Sequence, residues 1–131
     1  MVLIDTTVWI DYLAGTLNSQ TLWLDHELGN QPLAITDLIY CEILQGIRGD
    51  ALFTHIRRDL EKLTIFDTGG KDLALAAARN YRLLRRRGVT VRKTIDCLIA
   101  TFCLRHAHSL LHRDRDYDPF EQLIGLSVIH P

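Results

Sequence analysis

Apolar positions in this chain come as short runs that alternate with helical stripes. Val2-Leu3-Ile4 is a run of three that stops at Asp5-Thr6-Thr7, where a threonine can cap a following helix. Val8, Trp9, Tyr12 and Leu13 then recur at helical spacing from Thr7 to Ala14, and Gly15 closes the segment. A second stripe, Leu17, Trp23, Leu24 and Leu28, predicts a helix over 18–28 that ends at Gly29-Asn30.

The alternation continues. Leu33-Ala34-Ile35 reads as a buried strand, and Thr36 or Asp37 caps a helix that runs to about Gln45. Residues 51–62 predict another helix, Thr64-Ile65-Phe66 a third strand and Thr68-Gly69-Gly70 a turn. Ala74, Ala77, Ala78, Tyr81 and Leu84 share one face of the next helix, which Gly88 stops. Ile95, Leu98, Ile99 and Phe102 follow the i, i+3, i+4, i+7 pattern within a helix over 94–106. Leu110-Leu111 is a fourth strand, and Ser127-Val128-Ile129 has the composition of a fifth. The polar stretch Asp114 to Pro119 reads as a loop.

Apolar strands that alternate with helices argue for a mostly parallel sheet covered on both faces. No repeat, low-complexity tract or linker interrupts the pattern. A length of 131 residues fits one domain, spanning 1–131. Hydrophobic residues make up 47% and charged residues 24%, which excludes a disordered or fibrous chain. The net charge of −1 excludes a global pull toward nucleic acid or membrane, so any such affinity needs a local patch. Three cysteines (Cys41, Cys97, Cys103), odd in number and without a CxxC, do not make a disulfide scaffold. The start of the chain lacks a basic region ahead of its apolar run, and the longest apolar run, Leu73 to Ala78, is far short of the roughly 18 residues of a membrane span. The expected location is a reducing cytoplasm.

In an open α/β sheet the site forms at the carboxyl ends of the strands. Asp5 ends the first strand, and Asp114 follows the fourth, with Asp116 and Asp118 after it. Asp96 lies in the first turn of its helix, where the helix dipole alone would favour it. Glu42 sits among Leu38, Ile39, Cys41, Ile43 and Leu44, so a half-buried Glu42 in need of a partner is expected. Each acid alone could be a cap or a solvated group. Gathered in one pocket, each pair at about 4 Å would repel by about 4 kcal/mol at an effective dielectric of 20. Protons or cations must then compensate, and oxygen-only ligands suit Mg²⁺ or Mn²⁺. An ion so held can bind a phosphate oxygen and activate a water, which is the chemistry of phosphodiester hydrolysis.

Four segments carry a resemblance: Leu3-Ile4-Asp5-Thr6-Thr7, Tyr40-Cys41-Glu42-Ile43-Leu44, Thr94-Ile95-Asp96-Cys97-Leu98-Ile99-Ala100, and Leu111 to Asp118. In this order and spacing they resemble the PIN-domain nucleases, and most closely the VapC toxins of bacterial toxin–antitoxin pairs. The resemblance covers essentially the whole chain. It implies a three-layer α/β/α fold, Mg²⁺-dependent endoribonuclease activity with 3′-hydroxyl and 5′-phosphate products, a cognate VapB-type antitoxin and a homodimer. By match, Asp5, Glu42, Asp96 and Asp114 form the acidic quartet, and Asp116 takes a frequent fifth acidic position. Asp5, Asp96, Asp114 and Asp116 would be the metal ligands, Glu42 would ligate the ion or orient the attacking water, and Thr7 would be the supporting hydroxyl. No acidic position departs from the family pattern. Cys97 stands where a smaller residue such as alanine is expected.

Residues 79–93 carry seven of the fifteen basic side chains and no acid. Arg85, Arg86 and Arg87 suit a helix C-terminus, whereas Arg92 and Lys93 lead directly into the helix of Asp96. With Arg113 and Arg115 beside the acidic loop, these residues are candidates for contact with RNA or antitoxin. His106, His108 and His112 straddle a helix end and a strand, which favours structural roles over zinc. The cysteines, Trp9 and Trp23 read as packing residues. Two other classes compete. A phosphorylated receiver-like domain would use Asp67, but it wants paired acids after the first strand and a lysine near the end, and neither is present. A non-catalytic module that binds RNA or a partner would keep its binding when the acids are lost.

Overall fold

The computed structural model describes residues 1–131. Four strands, β1 (Val2–Ile4), β2 (Leu33–Thr36), β3 (Thr64–Phe66) and β4 (Ser109–Leu111), form one parallel sheet in the order β3-β2-β1-β4. Seven helices connect and flank them: α1 (Thr6–Leu13), α2 (Ser19–Glu27), α3 (Asp37–Gln45), α4 (Asp50–Leu60), α5 (Gly70–Arg86), α6 (Thr94–His106) and α7 (Asp118–Ile124). Helix α1 packs on α2 and α3, and α3 on α4, while α5 packs on α6. The chain steps one way from β1 to β3 and then returns across the sheet to β4. Right-handed crossovers therefore put α1–α4 on one face and α5–α6 on the other, as the expected three-layer α/β/α fold requires. No helix is long and apolar enough to cross a membrane.

Leu3, Ile4, Ile35, Leu110 and Leu111 are fully buried at the centre, and the apolar cluster around them draws on every helix. The edge strand β3 departs from the expected buried strand. Thr64 is exposed and Ile65 and Phe66 are half-buried, because β3 is an edge strand with β2 as its only neighbour.

Strand-to-helix junctions set the functional edge. Asp5, extended at φ −70° and ψ 157°, caps α1 by accepting from the Thr7 amide. The cap is thus the aspartate rather than the threonine that the sequence suggests. At the parallel junction Thr36 Oγ1 accepts from the Ile39 amide and starts α3. The Asp5 amide donates to Leu111 O at 2.9 Å, so β1 and β4 end side by side. Helix α1 leaves β1 on one face and α6 begins at this edge on the other, which opens the crevice where α/β folds place their sites.

Two expectations about the C-terminus are corrected. Residues 115–117 form a 3-10 turn and Asp118–Ile124 is α7, where the sequence reads as a loop. Pro119 sits in the first helical turn, where its missing N–H costs nothing, so it starts a helix instead of breaking one. Ser127-Val128-Ile129 is no fifth strand. It makes one isolated parallel bridge, Leu110 to Val128, held by the Leu110 and Ile129 amides.

Candidate active site

Asp5 leaves the buried β1 with only 3% of its surface exposed. Both its oxygens are held. Oδ2 accepts from the Thr7 amide at 3.1 Å and from Thr7 Oγ1 at 2.7 Å, and Oδ1 accepts from the Tyr117 hydroxyl at 2.8 Å. Thr7 Oγ1 also accepts from the Arg113 amide at 3.1 Å, which ties the loop after β4 to the end of β1.

Asp96 reaches the same place from the first turn of α6 and is 6% exposed. Its Oδ2 is buried and has no hydrogen-bond partner, while its Oδ1 is 3.4 Å from the Tyr117 hydroxyl. Burial, and then the charge of Asp5, push its carboxyl from 3.8 up to about 7, with Lys93 acting in the opposite direction. The adjacent Cys97 anchors α6 to α5 by donating from Sγ to Ala77 O at 3.2 Å.

Asp114 and Asp116 arrive on the 3-10 turn. Asp114 Oδ1 accepts from the Asp116 amide at 2.9 Å, and its own amide donates to His112 Nδ1 at 3.0 Å. One oxygen each from Asp96, Asp114 and Asp116 lies within 4.8 Å of the others. Two cations lean over the group. Lys93 Nζ is 3.6 Å from Asp114 Oδ2, and Arg92 Nε is 4.0 Å from Asp116 Oδ1. The surrounding aspartates, Asp96 foremost, raise the Lys93 pKa.

Glu42 comes from α3 and is half-buried, and the partner it needs is Thr6, whose Oγ1 donates to Oε1 at 2.8 Å. Burial raises the Glu42 pKa, the Thr6 bond lowers it, and the charge of Asp5 raises it again. Thr6 and Thr7 tie Glu42 and Asp5 to the start of α1, Tyr117 lies between Asp5 and Asp96, and Asp96 groups with Asp114 and Asp116, so the five acids gather at one sheet edge. The donor set is all oxygen, and one buried carboxylate oxygen lacks a partner. That combination fits a hard divalent cation, which would meet the partnerless oxygen and relieve the mutual repulsion.

Comparison with known proteins identifies the family. The profile of the PIN domain matches residues 2–123. The chain belongs to the PIN-domain family. Among characterised PIN proteins it is 34% identical over 130 residues to VapC ribonuclease Mb1587 of Mycobacterium bovis, covering 98% of this chain and 97% of that one. The same identity and coverage hold for Ribonuclease VapC11 of Mycobacterium tuberculosis, which places the chain in the VapC group. The PIN fold here also superposes on VapBC2 from Rickettsia felis bound to a DNA fragment from its promoter, with a TM-score of 0.77, 16% identity and 98% of each chain covered.

The remaining candidates of this PIN domain separate into two groups. Arg92 and Lys93 lie at the acids, and Arg113 stands next to them with its guanidinium on Asp11 at 3.2 Å. Arg115 is exposed on the 3-10 turn. Arg85, Arg86 and Arg87 are exposed at the end of α5, where Arg85 stacks over Tyr81 and Arg87 donates to Leu123 O. Asp67 is exposed after the edge strand β3, away from the β1–β4 crevice. His106 and His108 pack against Phe102, and His108 also stacks on Phe66. Trp9, Cys97 and Cys103 are buried, but Cys41 is exposed, because it lies on the outer face of α3.

Three residues that serve the PIN site are not among the site candidates read from the sequence: Thr6, Tyr117, and His112, which the sequence gives only a structural role. Thr6 had a signal, since it sits beside Asp5 in a Thr-Thr pair. Burial lowers the His112 pKa, and its Nδ1 accepts from the Asp114 amide. Tyr117 lies within the segment Leu111 to Asp118 without a signal of its own, and only tertiary structure brings its hydroxyl to the acids.

Proposed function

We propose that this chain is a metal-dependent endoribonuclease that acts as the toxin of a toxin–antitoxin pair and is silenced by a cognate VapB-type antitoxin. The observation that carries the reading is the convergence of five carboxylates at one sheet edge, around a buried Asp96 oxygen that no protein group satisfies. The 34% identity to VapC ribonucleases over nearly the whole chain supports RNA as the substrate class.

Asp96, Asp114 and Asp116 would hold Mg²⁺, with Mn²⁺ as the alternative ion, and Asp5 completes the shell behind them. When bound, such an ion neutralises the phosphate and lowers the pKa of a water. Glu42, held by Thr6 at the other side of Asp5, orients the attacking water and takes its proton. Thr7 fixes Asp5, while Lys93 and Arg92 neutralise the scissile phosphate from the opposite rim. Arg113 and Arg115 contact flanking phosphates, and Arg85, Arg86 and Arg87 extend the basic surface.

For the antitoxin we assign the apolar face of α1, α2 and α4. Six of the eight large exposed hydrophobic residues are here: Ile10, Leu13, Leu17, Leu22, Leu52 and Phe53. Leu13 also lines a cleft of about 490 Å³ with Trp9, Tyr12, Leu28, Ile56 and Leu60. An exposed apolar face of this extent suits an apolar segment of a partner. The reading also takes 1–131 as one domain, since a single apolar cluster draws on every helix, and keeps the homodimer that the family resemblance implies. Three free cysteines and an RNA substrate go with action in the cytoplasm.

The test is cleavage of total cellular RNA by metal-stripped protein, with Mg²⁺ added back, beside Asp5→Asn and Asp96→Asn. Discrete products from the parent protein with Mg²⁺ alone support the assignment. RNA binding without cleavage in all three proteins would make the chain a binding module and its acids structural.

A further inference from the structure

Tyr117 is fully buried and stands on the same 3-10 turn as Asp116, three residues after Asp114. Its ring packs against His112 with centroids 4.8 Å apart, so the core fixes it independently of the acids. Its hydroxyl lies between two carboxylates, donating to Asp5 Oδ1 at 2.8 Å and standing 3.4 Å from Asp96 Oδ1. Thr7 already holds the other Asp5 oxygen by two bonds. The phenol therefore removes the last rotational freedom of Asp5 and occupies the inner side of the acidic pair. Asp96 Oδ2 is buried without a partner, and one Asp96 oxygen lies within 4.8 Å of an oxygen of Asp114 and one of Asp116.

We infer that Tyr117 is a positioning residue of the metal centre: its hydroxyl locks Asp5 against Asp96 and couples that pair to the Asp114–Asp116 turn. The inference rests on the metal-dependent reading above. A donor behind a ligating carboxylate fixes its direction before the ion arrives, and removing such a donor weakens metal affinity by about 10- to 100-fold. The single proton of the phenol is committed to Asp5 at 2.8 Å, so the 3.4 Å separation from Asp96 sets position rather than a second strong bond. A phenylalanine would fill the same space and lose only this constraint.

The test compares the parent protein with Tyr117→Phe, which removes one oxygen from a packed site. Mn²⁺ binding is measured by calorimetry and by the rise in melting temperature on adding Mn²⁺. RNA cleavage is followed against Mn²⁺ concentration. The expected result is a Mn²⁺ dissociation constant about tenfold weaker or more, a smaller thermal shift and a matching rise in the Mn²⁺ needed for half-maximal cleavage. Cleavage at saturating Mn²⁺ would fall far less, a split that loss of packing alone does not produce. Equal Mn²⁺ affinity in the two proteins, with cleavage intact, would overturn the role of Tyr117 and leave the nuclease reading standing. No Mn²⁺ binding by the parent protein would overturn both.

Discussion

Thr6 Oγ1 donates to Glu42 Oε1 at 2.8 Å, while the adjacent Thr7 holds Asp5. Neighbouring threonines at the start of α1 thus orient two acids, Asp5 at the β1–α1 junction and Glu42 within α3, 36 residues apart at the Thr6–Glu42 link. Burial raises the Glu42 pKa, and the Thr6 bond is the largest influence that opposes it. Thr6→Val is expected to lower cleavage by about tenfold or more, and to shift the acidic limb of the pH–rate profile to higher pH. Thr6→Ser keeps the donor and should retain most of the activity. A Val variant with the parental profile would show that Glu42 needs no partner.

The Asp96 carboxyl has a direct consequence for stability. Its folded pKa is about 7 against an ordinary 3.8. Below about pH 4 it is protonated in both states and makes no difference between them. As the pH rises to about 7 the unfolded chain loses this proton and the folded protein keeps it, so the metal-free protein becomes progressively less stable. Asp96→Asn removes that loss. The variant should gain stability over the parent from pH 4 to pH 7, by an amount on the order of a few kcal/mol at neutral pH. His112, whose lowered pKa acts in the opposite direction, is common to both proteins and cancels in the comparison. Urea unfolding of metal-stripped protein across this range is the measurement, and a constant difference would sink the argument.

Much of this site was legible because local pattern and tertiary role coincide. α6 spans Thr94–His106, as the spacing of Ile95, Leu98, Ile99 and Phe102 requires, and that fixes Asp96 in its first turn. Asp5 is legible because it stands between the apolar run Val2-Leu3-Ile4 and the helical stripe of Val8, Trp9, Tyr12 and Leu13. α7 was hidden because Asp114 to Pro119 has loop composition, and proline signals a break except in a first helical turn. The fifth strand failed for the opposite reason. Ser127-Val128-Ile129 has strand composition but pairs only at Val128. The contacts of Thr6 and Tyr117 with the acids join residues far apart in the chain, and no periodicity reports them.

The apolar face of α1 and α4 makes a prediction about the partner. Leu13 is exposed and lines the cleft with Ile56 and Leu60. Leu13→Glu puts a charge where the antitoxin is proposed to bury apolar surface, at little cost to the free protein. Complex formation with the antitoxin should weaken by at least about tenfold, while RNA cleavage by the isolated chain stays unchanged. Calorimetry of the pair and a cleavage assay on the free chain separate the two effects. Unchanged affinity would move the antitoxin to another face.

Lys93 sets two functions of one charge against each other. Its Nζ is 3.6 Å from Asp114 Oδ2, and Asp96, Asp114 and Asp116 all raise its pKa. A fixed cation at this place competes with a divalent ion for the same carboxylates, yet it is also where a bound phosphate needs neutralising. Lys93→Gln is therefore expected to tighten Mn²⁺ binding several-fold, because about one unit of repulsion across a solvated rim is removed. Cleavage at saturating Mn²⁺ should fall by at least about tenfold, because the phosphate loses its partner. Opposite signs are the diagnostic result. A variant that loses metal affinity and activity together would show Lys93 to be part of the scaffold of the acids. One that gains affinity without losing activity would place the phosphate elsewhere, with Arg92 or Arg113 as its contacts.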